Sequence, residues 1–142
     1  MNNIPLIFSC DNKFAIGLGL AIQSLLSNIE ENTFYEIYIL DGGISSKNKN
    51  RINKFKKINP NFSISYIDMK NRSKIFNKIK LDDKRFSIAV FFRLLIPELF
   101  KNKYEKIIFL DCDISVETDL TKMYKINLGN NAVAGVPDIG VR

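Results

Sequence analysis

The chain has 142 residues, 46% hydrophobic and 25% charged, enough for one domain with a buried core and too few for a comfortable second. No apolar run approaches the roughly 20 residues of a membrane span, and the opening Met1-Asn-Asn-Ile-Pro5 lacks the charged-then-apolar layout of a signal peptide, so a cytoplasmic location is expected. Two cysteines, Cys10 and Cys112, cannot make a disulfide framework, and without histidine the usual Cys/His zinc sites are excluded. A metal held here would sit on oxygen, which favours magnesium, calcium or manganese.

Leu6 to Asp11 reads as a short buried strand. Phe14 to Leu26 reads as a helix offering Ile16, Leu20, Ile22, Leu25 and Leu26 to a sheet. Gly17 and Gly19 fall inside that helix; isoleucine stands where a dinucleotide fingerprint needs its third small residue, so both glycines are read as sites of close helix packing. Tyr35 to Asp41 is a second strand, closed by the turn pair Gly42-Gly43. Ser45 or Ser46 then caps a basic helix that Pro60 ends.

That helix, Lys47-Asn-Lys49-Asn-Arg51-Ile-Asn-Lys54-Phe-Lys56-Lys57, carries much of the formal net charge of +6. Ile52, Phe55 and Ile58 recur at helical spacing, so the basic face is expected to be solvated rather than to bind nucleic acid. The charge remains compatible with an anionic membrane surface or phosphate-bearing ligands.

Phe62 to Asp68 alternates as a third strand. After a polar stretch from Lys70 to Arg85, Ser87 to Phe100 is predicted helical at least to Ile96, with Pro97 limiting it. Lys106 to Leu110 is a fourth strand, and Ala132 to Val136 is expected to be a fifth. Alternation of strand and helix predicts a parallel sheet with helices on its faces, as one domain over residues 1–142.

Asp11, Asp41, Asp68 and Asp111 each close a predicted strand. In a parallel sheet those ends share one edge, where ligands bind at the point of reversal in strand order. For Asp41 and Asp68, turn chemistry is the better reading. Asp111 and Asp113 are different: two apart in extended chain, their carboxylates share a side and repel unless a proton or cation lies between them. No lysine or arginine follows until Lys122, so a divalent cation is the natural local partner, its shell completed by a phosphate-bearing ligand.

Apolar strand followed by Asp-x-Asp also resembles the opening motif of haloacid-dehalogenase phosphatases, with Asp111 as nucleophile. That motif belongs on an early strand, and here it begins at residue 111 of 142.

Four blocks in order, Ile7-Phe-Ser-Cys-Asp11-Asn-Lys-Phe14, Ile39-Leu-Asp41-Gly-Gly-Ile-Ser45, Phe91-Phe-Arg93-Leu-Leu-Ile-Pro97-Glu-Leu and Ile108-Phe-Leu-Asp111-Cys-Asp113, resemble the retaining glycosyltransferases of family 8. That family includes bacterial lipopolysaccharide galactosyl- and glucosyltransferases and the glycogenins, and the likeness runs from about Ile4 to Asp138. It implies a GT-A fold, a Rossmann-like, mostly parallel sheet with helices on both faces. It also implies transfer of a hexose from a UDP-sugar to a glycan acceptor, such as lipopolysaccharide, with retention of configuration.

By resemblance Asp11 bonds the uracil, Phe14 stacks on it, Arg93 contacts the donor near its sugar, and Asp111 and Asp113 hold manganese, or magnesium in its place, against the diphosphate. Lys13 stands where the family usually has asparagine, and the histidine that completes the family's metal site is absent. The resemblance therefore implies the donor-binding half of such an enzyme, shortened, with catalytic residues expected beyond residue 142. A catalytically inert remnant that binds nucleotide-sugar is the alternative. Peripheral contact with the inner membrane surface, and self-association through apolar surface left open by shortening, are further expectations.

Overall fold

The computed structural model describes residues 2–76, 79 and 87–136. Part of the polar stretch after Lys70, and Asp138, lie outside them. Four strands form one parallel sheet: β1 (Asn2–Cys10), β2 (Thr33–Asp41), β3 (Phe62–Asp68) and β4 (Ile108–Leu110), in the order β3-β2-β1-β4. Helix α1 (Ala15–Ser27) joins β1 to β2, and α2 (Ser46–Asn53) with a 3-10 turn at Lys54–Lys57 joins β2 to β3. A long 3-10 segment, Ile88–Leu95, runs into α3 (Ile96–Phe100), and α4 (Thr121–Tyr124) follows β4.

Period-two patterning explains how the sheet is covered. Ile4, Leu6, Phe8 and Cys10 of β1, with Tyr35, Ile37 and Ile39 of β2, point to one face and pack on Leu18, Ile22 and Leu25 of α1 and Ile52 of α2. Ile7, Tyr38 and Leu40 point to the other, where Ala89, Phe92 and Phe100 cover them. The arrangement is an α/β sandwich with helical segments on both faces. Helix α2 buries only Ile52 among its eight residues, so that side chain is its anchor.

Several elements differ from the sequence expectation. Strand β1 begins at Asn2 and includes Pro5, which a central strand normally excludes. Pairing with β4 starts only at Leu6, so one side of β1 is open at the proline. The helix predicted from Ser87 to Phe100 is 3-10 to Leu95, its start capped by the Ser87 hydroxyl, which accepts from the Ala89 amide at 3.1 Å. Pro97 then lies in the first turn of α3, where a missing N–H costs nothing, so it opens a helix instead of limiting one. Ala132 to Val136 form no strand; they are exposed, without the partner strand that extended backbone requires. Ser45 is the cap of α2, accepting from the Asn48 amide at 3.3 Å.

The loop between β4 and α4 is held from three sides. The Val116 amide donates to the Ser24 hydroxyl at 2.9 Å, and the Asn28 side-chain amide donates to the Val116 carbonyl at 2.8 Å. Asp119, buried, accepts from Tyr35 Oη at 2.9 Å, the Glu30 amide at 3.1 Å and the Thr121 amide at 2.8 Å. Burial alone would raise the Asp119 pKa, but the hydrogen bonds from Thr121, Glu30 and Tyr35 outweigh it and hold the carboxyl down to about 2. Gly17 adds steric control. A Cβ there would lie 2.8 Å from the Cys112 carbonyl oxygen, whereas one at Gly19 would meet nothing within 4 Å. Close packing is thus the role of Gly17 and not of Gly19, and the strand end it contacts carries Asp111 and Asp113.

The two glycines are expected to respond oppositely to alanine. Gly19→Ala should stabilise by up to about 1 kcal/mol through helix propensity, while Gly17→Ala should destabilise by about 1–3 kcal/mol through overpacking; urea titration of both variants reads the sign directly. Asp119 has a folded pKa near 2, below the ordinary 3.8, so its contribution is present above pH 4 and is lost as pH falls toward 2. Asp119→Asn should cost about 2 kcal/mol at neutral pH and flatten that acid dependence. Unfolding free energies of equal acid dependence in the two proteins would refute this.

Candidate functional site

Strand order places the site. From β1 the chain moves outward through β2 to β3, then returns to add β4 on the opposite side of β1. The reversal lies between β1 and β4, whose carboxyl ends therefore border the crevice in which open α/β sheets bind ligands. Asp11 immediately follows β1, and Asp111 immediately follows β4. Pairing of Phe8 with Leu110 brings those two ends side by side. Asp41 and Asp68 end β2 and β3, which pair in register on the far side of β1 from β4.

Asp11 shapes the entry to α1. Its Oδ1 accepts from the Lys13 amide at 2.8 Å and the Phe14 amide at 3.2 Å, the turn pattern that lets a short acid cap a helix start. Phe14 is 38% exposed at the head of α1, so its ring belongs to the surface of the site rather than to the core. Asn12 lies between them in sequence and does separate work. Its Oδ1 accepts from the Ser45 amide at 2.9 Å and from the Asn48 side chain at 3.0 Å, tying this loop to the start of α2.

Arg93 reaches the site from the 3-10 segment. Its Nη2 donates to Asp111 Oδ1 at 2.7 Å, its Nε donates to the Val90 carbonyl at 3.0 Å, and its guanidinium lies 4.6 Å from the Phe109 ring centroid. Three contacts from three directions fix a planar, permanently charged group beside the carboxylate. This revises the expectation that Asp111 lacks a protein cation. Residues local in sequence offer none, but tertiary packing supplies Arg93 from 18 positions earlier. At 40% and 51% side-chain exposure the pair is solvent-screened and contributes little to stability.

Asp113 is exposed, and Cys112 between the two acids is buried with its thiol toward the Ser9 carbonyl at 3.2 Å. Cys10 and Cys112 are both free. The neighbouring Cys112 side chain and burial push the Cys10 thiol far above its ordinary range, so it remains protonated and fills core space. Asp111 and Asp113 thus provide exposed, hard oxygen donors suited to magnesium or manganese. Among the described residues no three acids, cysteines or histidines converge as a complete metal cage. The backbone turns at Cys112 and Asp113 instead of running extended, so the shared side expected of the two acids does not follow from strand geometry: Asp111 pairs with Arg93, and Asp113 lines the cleft beside α1. Both are nonetheless the donor type for a metal whose shell phosphate oxygens and water finish.

Two clefts flank the crevice. One of about 510 Å³ at the ends of β2 and β3 contains Asp41, Gly43, Lys49, Asp68, Lys70 and Phe92. Its acids are committed locally: Asp41 pairs with Lys49 and accepts from the Gly43 and Ile44 amides at 2.8 and 2.7 Å, and Asp68 accepts from the Lys70 amide at 2.8 Å. Burial opposes ionisation of Asp41, and Lys49 with the two amides overcomes it, leaving the pKa lowered. The turn reading of both aspartates is what the geometry shows. The other cleft, about 690 Å³, lies between α1 and the loop after β4 and reaches Cys112 and Asp113.

Sequence reasoning passed over Asn12, Ser24, Asn28 and Asp119, which position the site without standing in it. The only signal for Asp119 was a buried-type acid between threonines, and its meaning depends on Tyr35 and Glu30, more than 80 residues away.

Comparison with known proteins agrees with this geometry. The model of the family described as "Glycosyl transferase family 8" matches residues 5–141. General stress protein A of Bacillus subtilis (strain 168) is 28% identical over 136 residues, which cover 94% of this chain and 46% of that protein. Lipopolysaccharide 1,3-galactosyltransferase of Salmonella typhimurium is 24% identical over 130 residues, covering 91% and 37%. Among solved structures, the apo WbbM bifunctional glycosyltransferase superposes with a TM-score of 0.81 at 34% identity over 97% of this chain and 23% of that one. The galactosyltransferase LgtC in complex with donor and acceptor sugar analogues gives 0.74 at 24% identity over 90% and 44%, a likeness of fold. The chain spans less than half the length of each. With the family match extending over nearly all its residues, on a GT-A-type α/β sheet, the chain belongs to glycosyl transferase family 8.

Proposed function

We propose that the β1/β4 crevice binds a UDP-sugar, and that the chain is the donor-binding part of an enzyme transferring a hexose, with retention of configuration, to a glycan acceptor such as lipopolysaccharide. The observation that carries this reading is the Arg93–Asp111 pair at the switch point of a family 8 fold, beside the β1 end that carries Asp11. The phosphatase reading finds no support in that family.

Each residue has a chemical part. Phe14 offers an exposed ring on which the uracil stacks, and Asp11, held by the α1 entry turn, accepts from the base. Asp111 and Asp113 would hold a manganese or magnesium ion through carboxylate oxygens. Such an ion, when bound, supplies positive charge to the diphosphate that leaves as the bond to the sugar breaks. Arg93 contributes fixed positive charge of its own, aimed by Val90 and Phe109, and orients the Asp111 carboxylate through its Nη2 hydrogen bond. The loop after β4, pinned by Ser24, Asn28 and Asp119, keeps both carboxylates in place before ligand arrives. None of the 142 residues is assigned the group-transfer chemistry itself. Ile16 and Leu20, which the helical pattern offered to the sheet, are instead exposed on α1, whose buried face is Leu18, Ile22 and Leu25; self-association would run through them, and a clean monomer across a sedimentation concentration series would argue against it.

Titration calorimetry of UDP into the protein, with manganese and with chelator, tests the donor site. Manganese-dependent heat that disappears in Asp111→Ala/Asp113→Ala is expected. No heat from a folded sample would favour an inert module instead. Arg93→Ala separates binding from folding: UDP affinity should fall at least about tenfold, whereas stability should change by less than about 1 kcal/mol because the Arg93–Asp111 pair is exposed. Unfolding and binding losses of equal size would show that Arg93 is structural.

A further inference from the structure

We propose that the outward face of α2 and the 3-10 turn after it is a docking surface for an anionic lipid bilayer. The charge distribution is the first ground. Residues 42–67 contain six basic residues and no acid, so the whole formal excess of +6 lies in this one stretch and the rest of the chain is balanced. In the fold its six basic residues all lie on α2 and the 3-10 turn, the crossover between β2 and β3, on one side of the sheet.

Geometry then separates the basic residues by direction. Ile52 is buried and points inward, and Lys49 turns to Asp41. Lys47, Arg51 and Lys54 recur at spacings of four and three, which puts them together on the side of the helix away from Ile52, and all three are exposed. Lys56 and Lys57 are exposed in the turn that continues it. Among the described residues none of these five is in an ion pair. A solvated helix face normally interleaves both signs, and this one carries a single sign.

The apolar component points to lipid. Ile58 directly follows the basic 3-10 turn and, instead of facing the core with Ile52 and Phe55 as their common spacing suggested, is 79% exposed. The aromatic rings nearby, Phe55 and Tyr66, are packed against the core, and a ring held there is no platform for nucleic-acid bases. A basic face followed in the chain by an open isoleucine suits headgroups and the acyl boundary beneath them. Because Asn12 ties the start of α2 to the loop carrying Asp11, docking would hold the ligand edge at the rim of the contact. The surface does not depend on the donor-site reading, since its ligand and residues are different.

The test is co-sedimentation of the whole chain with vesicles of phosphatidylcholine alone and of phosphatidylcholine with phosphatidylglycerol, at low and physiological salt. Each basic residue near an anionic surface is worth about fivefold in affinity, so binding should favour the anionic vesicles at least tenfold. Lys47→Glu/Arg51→Glu/Lys54→Glu should abolish it. Lys101→Glu/Lys122→Glu/Lys125→Glu, with the same change in net charge at exposed positions elsewhere, should retain it. Ile58→Ser should remove much of the binding that survives physiological salt. Circular dichroism checks the fold, and the neutral set Lys47→Gln/Arg51→Gln/Lys54→Gln should fall between wild type and reversal. Equal binding to neutral vesicles, equal loss in both reversal sets, or tighter capture of a single-stranded oligonucleotide at matched phosphate concentration would overturn the proposal.

Discussion

The proposed donor site depends on a short parallel ladder. Leu6, Ile7 and Phe8 of β1 pair with Ile108, Phe109 and Leu110 of β4. Those three residue pairs turn a simple β3-β2-β1 succession into a sheet whose order reverses, and reversal opens a crevice. So short a strand cannot be held by its own ladder. Its surroundings hold it: Gly17 lets α1 approach the Cys112 carbonyl, Ser24 and Asn28 grip Val116, and buried Asp119 fastens the following loop to β2. The acids of the site are thus placed by a framework of uncharged contacts and one buried carboxylate.

Charge in the molecule is sorted by role. Buried carboxylates, Asp41 and Asp119, have their oxygens occupied by amides, hydroxyls or a lysine, and their depressed pKa values record that satisfaction. The exposed carboxylates Asp111 and Asp113 follow β4, the first at the crevice and bonded, among the described residues, to Arg93, the second in the cleft beside α1. Acids already satisfied by the fold stabilise it, and acids left open to solvent are available to a ligand. The basic excess lies apart from both, on the crossover between β2 and β3, so the face that attracts anions and the edge that would bind one are distinct but mechanically joined through Asn12.

Much of this was legible in the sequence. Short apolar runs, with alternation in the third, located all four strands to within a few residues, because a parallel sheet covered on both faces demands such runs. Aspartates at strand ends located the edge. Ala132 to Val136 was misread because an apolar pentapeptide looks the same whether or not a neighbouring strand exists to take its hydrogen bonds. Pro97 was misread because proline ends one helix and begins another by the same missing donor, and only the phase of the surrounding turns distinguishes them.

What the sequence by itself determined is the set of local choices: which residues alternate, which turn, which cap, and that four ordered motifs resemble a glycosyltransferase family. Period, propensity and motif are properties of neighbours along the chain, so they survive without coordinates. Tertiary structure alone decided that Arg93 would meet Asp111, that Gly17 and not Gly19 would be the close contact, and that Asp119 would find Tyr35 and Glu30. These partners lie 18 to 95 positions apart in sequence. Which of many such pairs forms is set by strand order and packing, and strand order is fixed only when the whole core closes.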